Sequence, residues 1–143
     1  MSFDWNALAA RLVRHEGLRL KPYTDSVGKL TIGIGRNLTD CGISEAEAHM
    51  LLANDIAGAS VDLDHHVPKW RGLDDVRQAV LVELCFAMGW PVLSEFHDTL
   101  QALSERRFPD AARHLRGSLW ARQVGARAEE LAAAIETGSF PPG

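Results

Sequence analysis

Cysteine is scarce in this chain, with Cys41 and Cys85 the two present. Cys85 lies in a strongly apolar run, so two reduced, structural thiols are expected rather than a bridge. Stability must then come from a packed core, which a chain of 143 residues is long enough to build. Long apolar runs are missing as well. Leu84–Met88 falls far short of the ~20 residues that cross a bilayer, so no membrane insertion is expected. Residues 1–16 carry Asp4, Arg11, Arg14 and Glu16 with no apolar stretch before a small-residue cleavage site. That pattern is not a secretion signal, and it points to the cytoplasm of the producing cell. There is no excess of positive charge: the net charge is −4. Residues 1–40 hold six basic and four acidic side chains, residues 41–75 two and seven, and residues 76–143 seven and eight. Without a basic stripe, a nucleic-acid partner is not expected. Internal repeats and low-complexity segments are also lacking.

What is present reads as alternating local signals. Asp4 is placed to cap a first helix, with Phe3 and Leu8 spaced as a hydrophobic staple. Trp5, Leu8, Ala9, Leu12 and Val13 recur at helical spacing up to Glu16, and Gly17 sits where a left-handed stop belongs. The period then changes. Leu30, Ile32 and Ile34 alternate with Thr31, Gly33 and Gly35, which is a strand pattern with one aliphatic face. The other face has little bulk, so a ligand could come close to the backbone there. Ser44 and Glu47 form a capping box that opens a helix through Leu51, Leu52 and Ile56. Asp74 caps a second strong helix whose run from Ala79 to Met88 is nearly all apolar, interrupted by Glu83 and closed by Gly89 and Pro91. Shorter helices are predicted from Phe96 to Leu103, from Pro109, and from Ala126 to Ile135.

The fold class that follows is α+β, mostly α, in one domain over residues 1–143. A β-rich lobe is expected over about 17–40, a connecting helix over about 44–64, and a helical lobe over about 70–140 joined by the N-terminal helix 4–16. Two such lobes are expected to leave a cleft.

Glu16, Asp25 and Thr31 are the candidate chemical groups: a helix end, a loop and the open strand face. Breaking a glycosidic bond needs two carboxyl groups flanking it, one to protonate the leaving oxygen and one to help water or the sugar cation. The negative end of a helix dipole would bias Glu16 towards its protonated form, whereas Asp25 in a polar loop should stay ionised. Taken singly, each residue has a plain structural alternative, a solvated helix-end carboxylate or an ordinary strand residue. Gly33 and Gly35 do not form a dinucleotide fingerprint, because Leu38 stands where the third glycine belongs. His65 and His66 near Asp62 and Asp64 satisfy no metal-ligand spacing. Neither metal nor cofactor is expected.

The string Glu16-Gly17-Leu18-Arg19-Leu20-Lys21-Pro22-Tyr23-Thr24-Asp25, then Gly28, then Thr31-Ile32-Gly33-Ile34-Gly35, closely resembles the active-site signature of phage-type lysozymes. The likeness continues at Ile43–Ala48, Leu73–Arg77, Phe86–Gly89 and Trp120–Arg127. The resemblance implies a phage lysozyme-like fold with a small antiparallel sheet. It also implies hydrolysis of the β-1,4 bond between N-acetylmuramic acid and N-acetylglucosamine in peptidoglycan, with inversion. Glu16 would be the general acid, Asp25 would assist water or the sugar cation, and Thr31 would hold that water. Inversion places the two carboxyl groups ~6.5–9.5 Å apart. Gly33, Gly35, Gln123 and Arg127 match substrate-binding positions, with Arg127 reaching towards the catalytic glutamate. Arg36 and Asp55 match a structural ion pair. The implied partner is the glycan strand of the cell wall, met by a monomer after release from the producing cell.

Ala87 departs from the pattern, standing where many relatives carry an amide. Two other functions stay open on the residues: a weakly active or inactive glycan-binding module of the same fold, and a lytic transglycosylase, which cleaves the same bond without water. Arg106, Arg107, Arg113 and Arg116 read as a solvated helix face, with wall phosphates or carboxylates as the alternative partner. Glu83 is expected to face solvent.

Overall fold

The computed structural model describes residues 2–142. The chain divides into two compact units, one up to Met50 and the other from Leu51 onward. The fold class is α+β and mostly α: eight α-helices and one three-stranded antiparallel sheet among the described residues.

In the first unit, helix α1 spans Trp5–Glu16. Asp4 caps it, its carboxylate accepting from the Ala7 N–H at 3.0 Å. Gly17, at φ +77°, stops it and donates its N–H to the Val13 carbonyl at 2.8 Å. The Phe3 ring lies against Trp5, 4.8 Å between centroids. Strands β1 (Arg19–Thr24), β2 (Leu30–Gly33) and β3 (Arg36–Asn37) follow in the order β1-β2-β3. Thr31 faces Tyr23 on one side and Asn37 on the other, and the β1–β2 register shifts between Arg19 and Tyr23. Because β2 is the central strand, Thr31 is paired on both edges; its side chain is also buried. A short helix α2 (Leu38–Cys41) is capped by Asn37, which accepts from the Asp40 N–H.

Helix α3 (Glu45–His66) opens at the expected capping box. Ser44 Oγ accepts from the Glu47 N–H at 3.1 Å, and Glu47 Oε1 accepts from the Ser44 N–H at 2.9 Å. Gly58 does not interrupt it.

In the second unit, a 3₁₀ turn (Trp70–Gly72) leads to α4 (Asp75–Leu93), capped by Asp74. By length and apolar content alone α4 would cross a membrane. Yet Gly89, at φ +76°, kinks it, and Val80, Leu81, Leu84, Cys85 and Leu93 are buried in the unit's core. These five residues pack into that core. The chain resumes one further turn after Gly89, where the sequence suggests a stop. Helices α5 (His97–Ser104), α6 (Phe108–Arg116), α7 (Leu119–Val124) and α8 (Ala126–Thr137) complete the unit. Phe108, Ala111, Ala112 and Leu115 follow the i, i+3, i+4, i+7 rule, so one face of α6 is apolar and packs against α5 and α8. The alanines of α8 allow close approach, and Ala128, Leu131, Ala132, Ala134 and Ile135 are buried. Burying one such leucine contributes about 1.5–3 kcal/mol. Cys41 is exposed and Cys85 buried, each a free thiol.

Candidate active site

Glu16 ends α1 in its last turn and is exposed. Its carboxylate lies against the β2–β3 turn. A Cβ built on Gly35 would stand 2.8 Å from Glu16 Oε2 and 3.1 Å from both Cδ and Cγ. The close approach expected at the glycine face is thus made at Gly35 by the chain's own acid. Gly33, at φ +70°, would have nothing within 4 Å of a Cβ and stays open.

Asp25 occupies the β1–β2 turn, half-buried. Its Oδ1 accepts from the Lys29 N–H at 2.8 Å and the Val27 N–H at 3.0 Å. Among the described residues, Oδ2 takes no donor. Thr31 is 4% exposed, and its hydroxyl donates to the Lys29 carbonyl at 3.0 Å. That carbonyl also accepts from the Asp25 N–H at 2.9 Å. The main chain of Lys29 therefore binds both groups, fixing the Asp25 carboxylate and aiming the Thr31 hydroxyl. With its proton directed at Lys29, the Thr31 oxygen keeps lone pairs to accept from water. Lys29 is invisible to motif reading, because its part is played by backbone atoms that carry no side-chain signature. The only hint is its place immediately before β2.

Arg36 is engaged by Glu47, with Nη1 2.7 Å from Oε1 and 3.2 Å from the Gly42 carbonyl. The capping box already brings the Glu47 carboxylate to the head of α3, within reach of β3. The Arg36 guanidinium, together with the Ser44 N–H and hydroxyl, holds the Glu47 carboxyl at about 2, well below its usual range. Asp55 lies further along α3 and is exposed.

Gln123 and Arg127 belong to the second unit. Gln123 sits on α7, a helix absent from the expected elements although Ser118 and Gly125 bracket it as cap and stop. It lines a cavity of about 540 Å³ with Phe96, Asp98, Thr99, His114 and Trp120. Arg127, the second residue of α8, places Nη2 3.8 Å from Glu83 Oε1. Glu83 therefore faces a guanidinium, which gives a charge inside an apolar helix its counter-ion. Ala87 is half-buried on α4.

The remaining polar clusters have structural partners. Asp64 accepts from Trp70 Nε1 at 2.8 Å and Arg71 Nε at 2.7 Å, and His66 stacks on Trp90 at 4.8 Å and 6°. Arg107 pairs with Glu105 and Asp110, Arg113 with Asp110, and Arg116 with Glu129 and Glu136.

A turn-held carboxylate, a buried hydroxyl and a helix-end acid fit acid–base work on a bond that water splits. Comparison with known proteins points the same way. The phage lysozyme family model matches residues 13–134. The chain is similar to the pre-baseplate central spike protein Gp5 of Enterobacteria phage T4, 30% identical over 94% of this chain, and spans 28% of that protein's length. It is also similar to probable T4-type lysozymes 1 and 2 of Dictyostelium discoideum. These are 24% and 25% identical, over 87% and 94% of this chain and 91% and 96% of theirs. The chain carries a lysozyme domain of the phage lysozyme family, a glycoside hydrolase.

Proposed function

We propose that this lysozyme hydrolyses the β-1,4 bond between N-acetylmuramic acid and N-acetylglucosamine in peptidoglycan, inverting the anomeric centre. Glu16 donates its proton to the bridging oxygen. A water adds to the anomeric carbon from the opposite face and gives its proton to Asp25, with Thr31 accepting a hydrogen bond from that water. One water is consumed per bond broken. Gly33 leaves the backbone open to a sugar ring, and Gln123 and Arg127 supply further saccharide contacts. The enzyme works on glycan strands as a monomer, after release from the cytoplasm of the producing cell.

The observation that carries this reading is the Lys29 main chain, which joins Asp25 and Thr31. A water-free transglycosylase has no use for a hydroxyl held ready beside a fixed carboxylate. The test is clearing of purified cell walls by the parent, Glu16→Gln and Asp25→Asn. Both amides keep shape but lose proton transfer, so lysis should fall by roughly 10²–10⁴ while thermal melting stays near parental. Lysis by Glu16→Gln at the parent's rate would remove it as the acid. Digestion in ¹⁸O-water should place the label on the new reducing ends, with no anhydro sugar in the mass spectrum.

A further inference from the structure

We infer that Gly35 is a positioning residue: its missing side chain is the space in which the Glu16 carboxylate is held. The inference rests on Glu16 being the acid. A Cβ at position 35 would stand 2.8 Å from Glu16 Oε2, closer than real Cβ atoms come to a neighbour, and 3.1 Å from Cδ and Cγ. Three successive atoms of one side chain crowd the same point, so the carboxyl group and a side chain at 35 exclude each other. The atoms met are the far end of a flexible side chain, not backbone. The clash is therefore relieved by the carboxyl turning away rather than by the hairpin coming apart. This separates the crowding of Glu16 from the backbone strain that any substitution at Gly35 carries.

Gly35 also has φ +73°, a backbone conformation that only glycine adopts freely and asparagine tolerates among the rest. Gly42 supplies the comparison. At φ +58° it is likewise strained when substituted, but nothing would lie within 4 Å of its Cβ.

The experiment uses the full chain with four variants: Gly35→Ala, Gly35→Asn, Gly42→Ala and Glu16→Gln combined with Gly35→Asn. Initial rates on soluble glycan strands give kcat and KM, and melting gives the fold. Both Gly35 variants should melt as cooperative proteins and lose about 10²-fold in kcat, the scale of a misplaced reacting group. KM should stay within about threefold, because the other proposed saccharide contacts are untouched. Gly42→Ala should keep the parent's kcat within about twofold. Added to Glu16→Gln, Gly35→Asn should cost no more than about twofold further, since both changes act through one carboxyl. A kcat near parental in Gly35→Asn overturns the inference, as do losses that multiply in the double variant. Loss of the fold in both Gly35 variants overturns it too, since the crowding would then not be relieved by Glu16. An inactive Glu16→Gln beside an active Gly35→Asn removes only the role of Gly35; an active Glu16→Gln removes the reading beneath it.

Discussion

Thr31 shows how a small residue acquires a directed hydroxyl. It is buried on the central strand, and the Lys29 carbonyl takes its proton, so the oxygen can only accept. Replacing it with valine keeps the shape and removes the oxygen. Thr31→Val should lower kcat about 10²-fold, with KM and melting temperature close to parental. Thr31→Ser keeps the oxygen and should retain most of the rate. Steady-state kinetics on glycan strands checks this; a valine variant as fast as the parent excludes the hydroxyl from the reaction. The sequence places Thr31 on a strand but leaves it on an open face. Thr31 is nonetheless buried, and its pairing with Asn37 of β3 could not be read from the alternation of β2.

At the scale of elements, the local signals are legible where a short-range hydrogen bond defines the boundary. Asp4, Gly17, Ser44 with Glu47, and Asp74 all act as cap or stop within three or four residues of their partners. The head of α3 adds something the capping box alone does not contain. Glu47 serves the Ser44 N–H and Arg36 with the same oxygen, tying β3 to the helix. Its carboxyl is held at about 2 against an ordinary value near 4.5. A depressed carboxyl contributes stability that is fully present above its unfolded value and lost as pH falls through the folded one. The melting-temperature difference between parent and Glu47→Gln should therefore be constant above about 4.5 and shrink between about 4.5 and about 2. A difference unchanged across that window would show that the ion pair and cap contribute nothing. Helix α7 escapes recognition from sequence because six residues give too little periodicity.

For the molecule as a whole, the described core lies in the second unit, built around α4. Arg77 closes it. Its Nε donates to the Ile135 carbonyl at 2.8 Å, its guanidinium lies 3.7 Å over the Phe108 ring, and Nη1 is 3.3 Å from Asp74. One side chain, only 13% exposed, thus fastens the start of α4 to the end of α8. Arg77→Ala should cost roughly 2–4 kcal/mol, because it removes the charged hydrogen bonds and the cation–π interaction with Phe108 at once. Urea unfolding checks this; a loss under ~0.5 kcal/mol would make the clasp incidental, as for an ordinary surface change. The chain by itself determined the caps that open α1, α3 and α4, the stop at Gly17 and the signature from Glu16 to Gly35, and hence the family, because caps and motifs act over a few neighbouring residues. Only the tertiary structure decided that Arg36 takes Glu47, that Glu83 meets Arg127, that Gly35 makes room for Glu16, and that Arg77 reaches α8. Those partners are far apart in sequence, and which of several chemically suitable groups meets which is settled by how the elements pack.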